Sequence, residues 1–120
     1  MKKTILIVEN NETLTEIYDL ALTKAGFNVV ITNNGTSALD YLVSKVPDLV
    51  ILDLKLPDID GLKILEEIKK LSRELPVILC TARDKQTIQH EVESVKVVDY
   101  LIKPVIFKNL VAKIKEVLGS

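Results

Sequence analysis

The apolar residues of the chain fall into two alternating kinds of segment, short continuous runs and longer stretches with regular polar interruptions. Residues 4–8 form the first run, and residues 12–25 form the first stretch. The apolar side chains of that stretch are Leu14, Ile17, Tyr18, Ala21 and Leu22. A short continuous run is typical of a buried strand, whereas apolar positions three and four residues apart are typical of an amphipathic helix. The pattern therefore predicts a strand followed by a helix.

This alternation continues to the end of the chain. Further apolar runs predict strands at residues 27–31, 49–52, 77–80 and 97–102. Further helices are predicted from the stripe Leu39, Leu42, Val43 and Val46, across 61–71 with Leu65, Ile68 and Leu71 facing inward, across 84–95, and from the stripe Phe107, Leu110, Val111, Ile114, Val117 and Leu118. Within 61–71, Glu66 is placed to pair with Lys70 one turn later. Five strands alternating with five helices predict an α/β fold, in which right-handed crossovers cover both faces of a parallel sheet.

Composition narrows the class of protein. The 120 residues include 16 basic and 17 acidic side chains, for a formal net charge of -1. This length suits a single domain spanning residues 1–120. The balanced charge gives no reason to expect a nucleic-acid partner or a membrane surface, and the absence of a long apolar span or a signal sequence predicts a cytoplasmic protein. Cys80, the single cysteine, lies inside an apolar run and is expected to be a small buried side chain.

Polar side chains stand where the predicted strands end. The first strand is followed by Glu9 and Asn10, the third by Asp53, the fourth by Thr81 and the fifth by Lys103. The carboxyl ends of parallel strands share one edge of the sheet, where ligands of doubly wound folds bind. We therefore expect these five side chains to converge.

The expected cluster suits phosphoryl chemistry. Asp53 follows a buried run and would stand beside Glu9, and two crowded carboxylates favour a cation between them. Oxygen ligands suit Mg²⁺, and a carboxylate can act as a nucleophile toward phosphorus. Mg²⁺, the Lys103 ammonium and the Thr81 hydroxyl would then stabilise the charge of the transferred group.

Four segments together give the chain a strong resemblance to the receiver (response regulator) domain of two-component signal transduction. They are Ile5-Leu6-Ile7-Val8-Glu9, Pro47-Asp48-Leu49-Val50-Ile51-Leu52-Asp53-Leu54-Lys55-Leu56-Pro57-Asp58-Ile59-Asp60-Gly61, Pro76-Val77-Ile78-Leu79-Cys80-Thr81-Ala82 and Asp99-Tyr100-Leu101-Ile102-Lys103-Pro104. The resemblance implies a flavodoxin-like, doubly wound fold with a five-stranded parallel sheet of order 2-1-3-4-5 and five helices on two faces.

The resemblance also implies roles for particular residues. Asp53 would accept a phosphoryl group from a phosphohistidine on a sensor histidine kinase or a histidine phosphotransfer protein, without turnover of a separate substrate. Mg²⁺ would be held by Glu9, Asn10, Asp53 and the Lys55 backbone carbonyl. Lys103 and Thr81 would contact the phosphoryl group, with Ala82 leaving room and Lys103-Pro104 forming a cis peptide.

The family's signalling surface is implied as well. Thr81 and Tyr100 would act as the switch pair. The surface read by a downstream effector would comprise the predicted fourth helix, fifth strand and fifth helix. A homodimer through the same face is left open.

The chain departs from the family pattern in two places, and a third position points to a subclass of the family. Where the family typically has a second acid on strand one, this chain has Asn10, which predicts weak Mg²⁺ binding. The segment Lys96-Val97-Val98 replaces the usual Gly-Ala turn. Lys55 is similar to a lysine of phosphorelay intermediates, which shields the acyl phosphate and predicts a long-lived phosphoryl state.

Structural alternatives accompany these roles. Asn10 or Asn11 could cap the first helix, Thr81 could cap the fourth, Lys103 could be solvated, and Tyr100 could serve packing alone. The stretch 58–61 is interpreted as a turn, since it lacks the remaining ligands of a calcium loop. His90 is expected to be simply exposed.

Two other functions compete with a phosphoacceptor. A degenerate pseudo-receiver would bind a partner without phosphorylation, and Asn10 is its best support. A flavodoxin-like electron carrier would need a hydroxyl- and glycine-rich loop after strand one, which this chain lacks.

Overall fold

The computed structural model describes residues 2–72, 74–82 and 99–119. In chain order the elements are β1 (Thr4–Val8), α1 (Glu12–Lys24), β2 (Asn28–Thr32), α2 (Gly35–Ser44), β3 (Leu49–Leu52), α3 (Gly61–Leu71), β4 (Val77–Thr81), β5 (Asp99–Ile102) and α4 (Phe107–Leu118). The predicted helix at 84–95, with His90, and the 96–98 corner lie outside the described residues.

The strands form one parallel sheet in the order β2-β1-β3-β4-β5. This is the order implied by the resemblance. β1 lies between β2 and β3, with Ile7 level with both Ile31 and Ile51. Since all five strands run the same way, the residues that follow them meet at one edge of the sheet.

Successive strand residues point to opposite faces, so the sheet supports two separate cores. One face buries side chains of α2 and α3 against Leu6, Val8, Val50, Leu52, Val77 and Leu79. The other buries side chains of α1 and α4 against Ile5, Ile7, Leu49, Ile51, Ile78 and Cys80. Burial on both faces explains why the strands read as continuous apolar runs. The predicted burial of Cys80 is confirmed.

The inward faces of α2 and α3 agree with the prediction only in part, since Leu42, Leu65 and Ile68 are buried and Leu39 packs against the same core. The buried residues of α2 are Gly35, Ala38 and Leu42, while Val43 and Val46 are 81% and 74% exposed. The prediction was wrong for Val43 and Val46, because α2 ends at Ser44, before Val46, and the side of the helix that carries Gly35, Ala38 and Leu42 faces the core. Leu71 was likewise predicted inward but is 57% exposed, because it is the last residue of α3.

The predicted Glu66–Lys70 pair is also replaced. The nitrogen of Lys70 lies 3.3 Å from a carboxylate oxygen of Glu67, and that of Lys63 lies 3.9 Å from Glu66. Both pairs join residues three apart, a spacing that also brings side chains together on a helix surface.

Two further findings concern expectations from the sequence. The peptide bond Lys103-Pro104 is cis, as the resemblance implied. Across the described ranges, none of the helices has the length and apolar character needed to cross a bilayer.

Candidate functional site

The ends of β1 and β3 place two acids side by side at the edge of the sheet. The Glu9 N–H donates to the Thr32 carbonyl at 3.0 Å. The Asp53 N–H donates to the Val8 carbonyl, also at 3.0 Å. Each acid therefore continues its strand's hydrogen bonding by one residue. Their side chains are nearly inaccessible, at 3% exposure for Glu9 and 7% for Asp53.

Lys103 brings a positive charge between these acids. Its Nζ lies 2.7 Å from Glu9 Oε1 and 3.1 Å from Asp53 Oδ2. Lys103 is 94 positions from Glu9 and 50 positions from Asp53 in the sequence, and the fold brings the three side chains into one cluster. Two carboxylates and one ammonium leave a formal charge of about -1 when all three are ionised.

The second oxygen of each carboxylate is held by the backbone that follows it. Glu9 Oε2 accepts a hydrogen bond from the Asn11 N–H at 3.0 Å. Asp53 Oδ1 accepts one from the Lys55 N–H at 3.1 Å. These bonds fix the carboxylates in orientation, and each oxygen retains a lone pair for a further ligand.

Burial and neighbouring charges have opposite effects on the pKa values of Glu9 and Lys103. Burial raises the pKa of Glu9 above its usual value, although the hydrogen bond from Lys103 works against that rise. For Lys103, burial favours the neutral amine, but the hydrogen bonds to Glu9 and Asp53 outweigh it and raise the pKa. Lys103 therefore carries its charge in this cluster at neutral pH.

The cluster opens into a cavity of about 360 Å³. Its walls are formed by Glu9, Asn10, Asn11, Asp53, Lys55, Leu56, Pro57 and Lys103. Asn11 Oδ1 accepts a hydrogen bond from the Leu14 N–H at 3.0 Å, so Asn11 is the residue that caps α1. Asn10 is exposed and lines the cavity. The alternative that Asn10 caps this helix is therefore wrong.

Thr81 and Tyr100 lie on the strands at this side of the sheet. Thr81 is the last residue of β4 and is level with Ile102, directly before Lys103. Tyr100 is level with Leu79, two residues further from the edge. The backbone thus brings Thr81 to the edge that carries Glu9 and Asp53.

The sequence interpretation missed one contact near the cavity, made by Asp58. Its carboxylate accepts hydrogen bonds from the N–H groups of Gly35 and Thr36 at 2.8 and 2.9 Å, and from Thr36 Oγ1 at 2.6 Å. The bond from the Thr36 hydroxyl, followed by the two N–H groups, lowers the pKa of Asp58. Because these partners lie 22 and 23 residues away, local sequence carries no direct signal for the contact.

The donor set suits a hard divalent cation. Within the described part of the chain no group of three or more His, Cys, Asp or Glu side chains could hold a metal. The cavity nevertheless offers the Glu9 and Asp53 carboxylates and the Asn10 amide oxygen. Mg²⁺ commonly takes one or two carboxylates and keeps several waters, so these residues fit it.

Known proteins are similar to this chain in sequence and in fold. The family model of the response regulator receiver domain matches residues 5–115. An uncharacterized transcriptional regulatory protein of Bacillus subtilis, YkoG, is 37% identical over 117 residues, which cover 98% of this chain and 51% of that protein. The transcriptional regulatory protein ZraR of Escherichia coli O157:H7 is 36% identical over 117 residues, covering 96% of this chain and 26% of ZraR. The chain thus spans about half the length of YkoG and about a quarter of the length of ZraR.

A solved structure of a receiver domain is also similar to this chain in fold. The CheY-like receiver domain protein of Methanospirillum hungatei JF-1 superposes with a TM-score of 0.94 at 28% identity, covering 99% of this chain and 95% of that one. The family match covers most of the sequence, and the shared fold includes the strand ends that carry Glu9, Asp53 and Lys103. The chain belongs to the response regulator receiver domains of two-component systems.

Proposed function

We propose that this receiver domain accepts a phosphoryl group on Asp53 from a phosphohistidine of a sensor histidine kinase or a histidine phosphotransfer protein. The observation that carries the proposal is the position of Lys103, whose Nζ is within hydrogen-bond distance of both Glu9 and Asp53. A carboxylate at the floor of an open cavity, beside a fixed ammonium, has the nucleophile and the charge stabilisation that phosphoryl transfer requires.

The transfer exchanges one bond to phosphorus for another. An oxygen of the Asp53 carboxylate attacks the phosphorus atom, the new O–P bond forms, and the N–P bond of the donor breaks. The electron pair of that bond returns to the imidazole nitrogen. Lys103 stays within reach of the transferred oxygens and offsets their charge.

A divalent cation would complete this arrangement. Glu9, Asn10, Asp53 and the Lys55 backbone carbonyl would hold Mg²⁺, which when bound offsets the negative charge of the phosphoryl oxygens. Asn10 supplies a carbonyl oxygen without a charge, so Mg²⁺ binding is expected to be weak. The chain performs this chemistry on itself and is not a turnover enzyme.

The output depends on residues beyond the acceptor. Thr81, at the end of β4, would contact the phosphoryl group, and Tyr100 of β5 would respond to its movement. The surface that changes would comprise the 84–95 segment, β5 and α4. A downstream effector, whether a separate protein or another part of a longer regulator, would read this surface.

The proposal is tested by direct phosphorylation. The chain is incubated with phosphoramidate and excess Mg²⁺, and intact mass and peptide mapping locate the phosphoryl group. Wild type is expected to gain one group at Asp53, and Asp53→Asn none. A wild-type chain that never acquires the group would contradict the proposal.

A second candidate is a pseudo-receiver that binds its partner without phosphorylation. One observation favours it: Asn10, which lines the cavity, carries no charge. Beryllofluoride, a mimic of the phosphoryl group, separates the two functions. Mg²⁺-dependent NMR shifts at Asp53, Thr81 and Tyr100 would support phosphorylation, whereas unchanged spectra would support the pseudo-receiver.

A further inference from the structure

The segment 54–60, which joins β3 to α3, forms one wall of the cavity. Lys55, Leu56 and Pro57 of this loop line the cavity directly. The base of the loop is closed by a hydrogen bond from the Gly61 N–H to the Leu54 carbonyl at 2.9 Å. The geometry of the wall therefore depends on what holds the residues between Leu54 and Gly61.

Asp58 connects the middle of this loop to a different element. Its Oδ1 accepts the Gly35 N–H, and its Oδ2 accepts both the N–H and the hydroxyl of Thr36. Gly35 and Thr36 open α2, where N–H groups lack partners within the helix. Asn34 Oδ1 accepts the third, from Ser37 at 2.8 Å. A loop carboxylate thus completes the cap of a helix that begins 23 residues earlier.

The packing beside this contact leaves little freedom. A Cβ added to Gly35 would lie 2.7 Å from Ile64 Cδ1 and 3.1 Å from Ile59 Cβ. The start of α2 is therefore seated against both the loop and α3. Asp58 itself is exposed, so its contribution comes from these hydrogen bonds and from its charge at the positive end of the helix.

We infer that Asp58 is a positioning residue of the site, because it anchors the 54–60 loop to α2 and so keeps Lys55 in place. At the start of the loop, the Lys55 N–H donates a hydrogen bond to the Asp53 carboxylate. In the middle of the loop, the Asp58 carboxylate accepts hydrogen bonds from the first residues of α2. This inference rests on the proposed function in one respect: the Lys55 carbonyl is what the loop presents to Mg²⁺. Loss of the anchor removes the hydrogen bonds that join the middle of the loop to α2, and leaves the Lys55 N–H bond to Asp53 and the Gly61 N–H bond to Leu54 at the base of the loop.

The first test measures the loop without metal or phosphodonor. Asp58→Ala is compared with wild type by amide hydrogen exchange at Lys55 and Gly61. Asp48→Ala is the matched control, since the Asp48 carboxylate also accepts a backbone N–H, that of Thr4 at 2.7 Å, at the opposite edge of the sheet. After correction for global stability, exchange at Lys55 is expected to be about tenfold faster in Asp58→Ala and unchanged in Asp48→Ala.

The second test measures Mg²⁺ affinity by NMR titration of the folded proteins. Loss of a supporting partner behind a ligand weakens metal binding about tenfold, so Asp58→Ala is expected to raise the Kd by that factor while Asp48→Ala leaves it unchanged. Thr36→Val, which removes one of the three hydrogen bonds from α2 to Asp58, should give a smaller change in the same direction.

The two tests separate this inference from the proposed function. Asp58→Ala that loses stability but matches Asp48→Ala at Lys55 and in Mg²⁺ affinity would make Asp58 a helix cap only, and would overturn the inference. A wild-type chain without any Mg²⁺ response would count against the proposed function instead, and hydrogen exchange at Lys55 alone would then decide the role of Asp58.

Discussion

Asn10 and Asn11 are adjacent residues in the cavity wall, and their side chains have different roles. Asn11 caps α1 through its side-chain oxygen, whereas Asn10 is exposed toward the cavity. Only Asn10 is therefore available to a ligand without loss of a helix cap. The charge of the site can be altered at this residue while the fold is left intact.

Asn10→Asp is expected to tighten Mg²⁺ binding tenfold or more. A unit charge pair about 4 Å apart is worth about 4 kcal/mol at an effective dielectric of about 20, before desolvation is subtracted. Mg²⁺ titration followed by NMR gives the Kd of each protein. Asn11→Asp is the control, because it adds the same charge one residue further on. Equal affinities of wild type and Asn10→Asp would refute the prediction.

Lys103→Met is expected to raise the pKa of Glu9 further. Burial already raises it, and the hydrogen bond from Lys103 is the leading opposing influence. Since the folded state would then hold a proton that the unfolded state releases, stability would fall as the pH rises through the raised pKa. Titration of the Glu9 side-chain carbon by NMR measures the pKa. Lys55→Met, which removes the other lysine of the cavity wall, should leave it nearly unchanged, and a Glu9 pKa that falls in Lys103→Met would contradict the prediction.

At the scale of elements, the junction of β3 and α3 depends on Gly61. A Cβ at this position would lie 2.3 Å from Leu54 Cα and 2.8 Å from the Asp53 carbonyl oxygen. Both neighbours are backbone atoms, which cannot rotate away. The close approach of α3 to the end of β3 therefore requires glycine.

Gly61→Ala is expected to destabilise the fold by about 2–3 kcal/mol through overpacking. Urea unfolding measures this loss, and the amide signals of residues 53–55 should shift. Gly26→Ala is the control: Gly26 has φ 99° and open space around it, so the cost there is the left-handed backbone alone, about 1–2 kcal/mol. Wild-type stability in Gly61→Ala would show that the backbone yields.

The link between the 54–60 loop and α2 makes stability sensitive to acid. The Thr36 hydroxyl first, and then the two N–H groups, hold the pKa of Asp58 below its ordinary value of 3.8. The unfolded state binds a proton more readily, so this stabilisation is complete above that value and is lost as the pH falls through the lower folded pKa.

Asp58→Asn should therefore flatten the acid limb of the stability curve. Between about pH 4 and pH 2, the wild type is expected to lose free energy of unfolding that the variant does not lose. Urea titrations at graded pH measure the difference, and Thr36→Val should lie between the two. Identical slopes for wild type and Asp58→Asn would contradict the prediction.

For the whole molecule, the sequence predicts the architecture better than the details of the helix faces. The continuous run at Leu49–Leu52 identifies a strand buried on both faces, and the strand ends locate Glu9, Asp53 and Lys103 because parallel strands share an edge. Val43 was predicted to face inward but is exposed, because an apolar side chain at helical spacing can still face solvent. The contact of Asp58 with α2 was not predicted, because its partners are set by the tertiary fold and not by local sequence.

Metal binding is expected to stabilise the molecule as a whole. A ligand that binds only the folded state adds about 2.7 kcal/mol at 100 times its Kd. The free energy of unfolding in urea should therefore rise with Mg²⁺ in wild type, rise at lower concentrations in Asn10→Asp, and change little in Asp53→Ala. An equal rise in all three would indicate binding elsewhere on the chain.

The bond between Lys103 and the two acids also means that the pocket contains its own counter-ion. A cation carried on the chain cannot be diluted away, and its local concentration is set by geometry, not by the medium. A divalent ion that binds Glu9 Oε1 or Asp53 Oδ2 must share that oxygen with the Lys103 ammonium. Binding of a cation through those oxygens is therefore an exchange of partners.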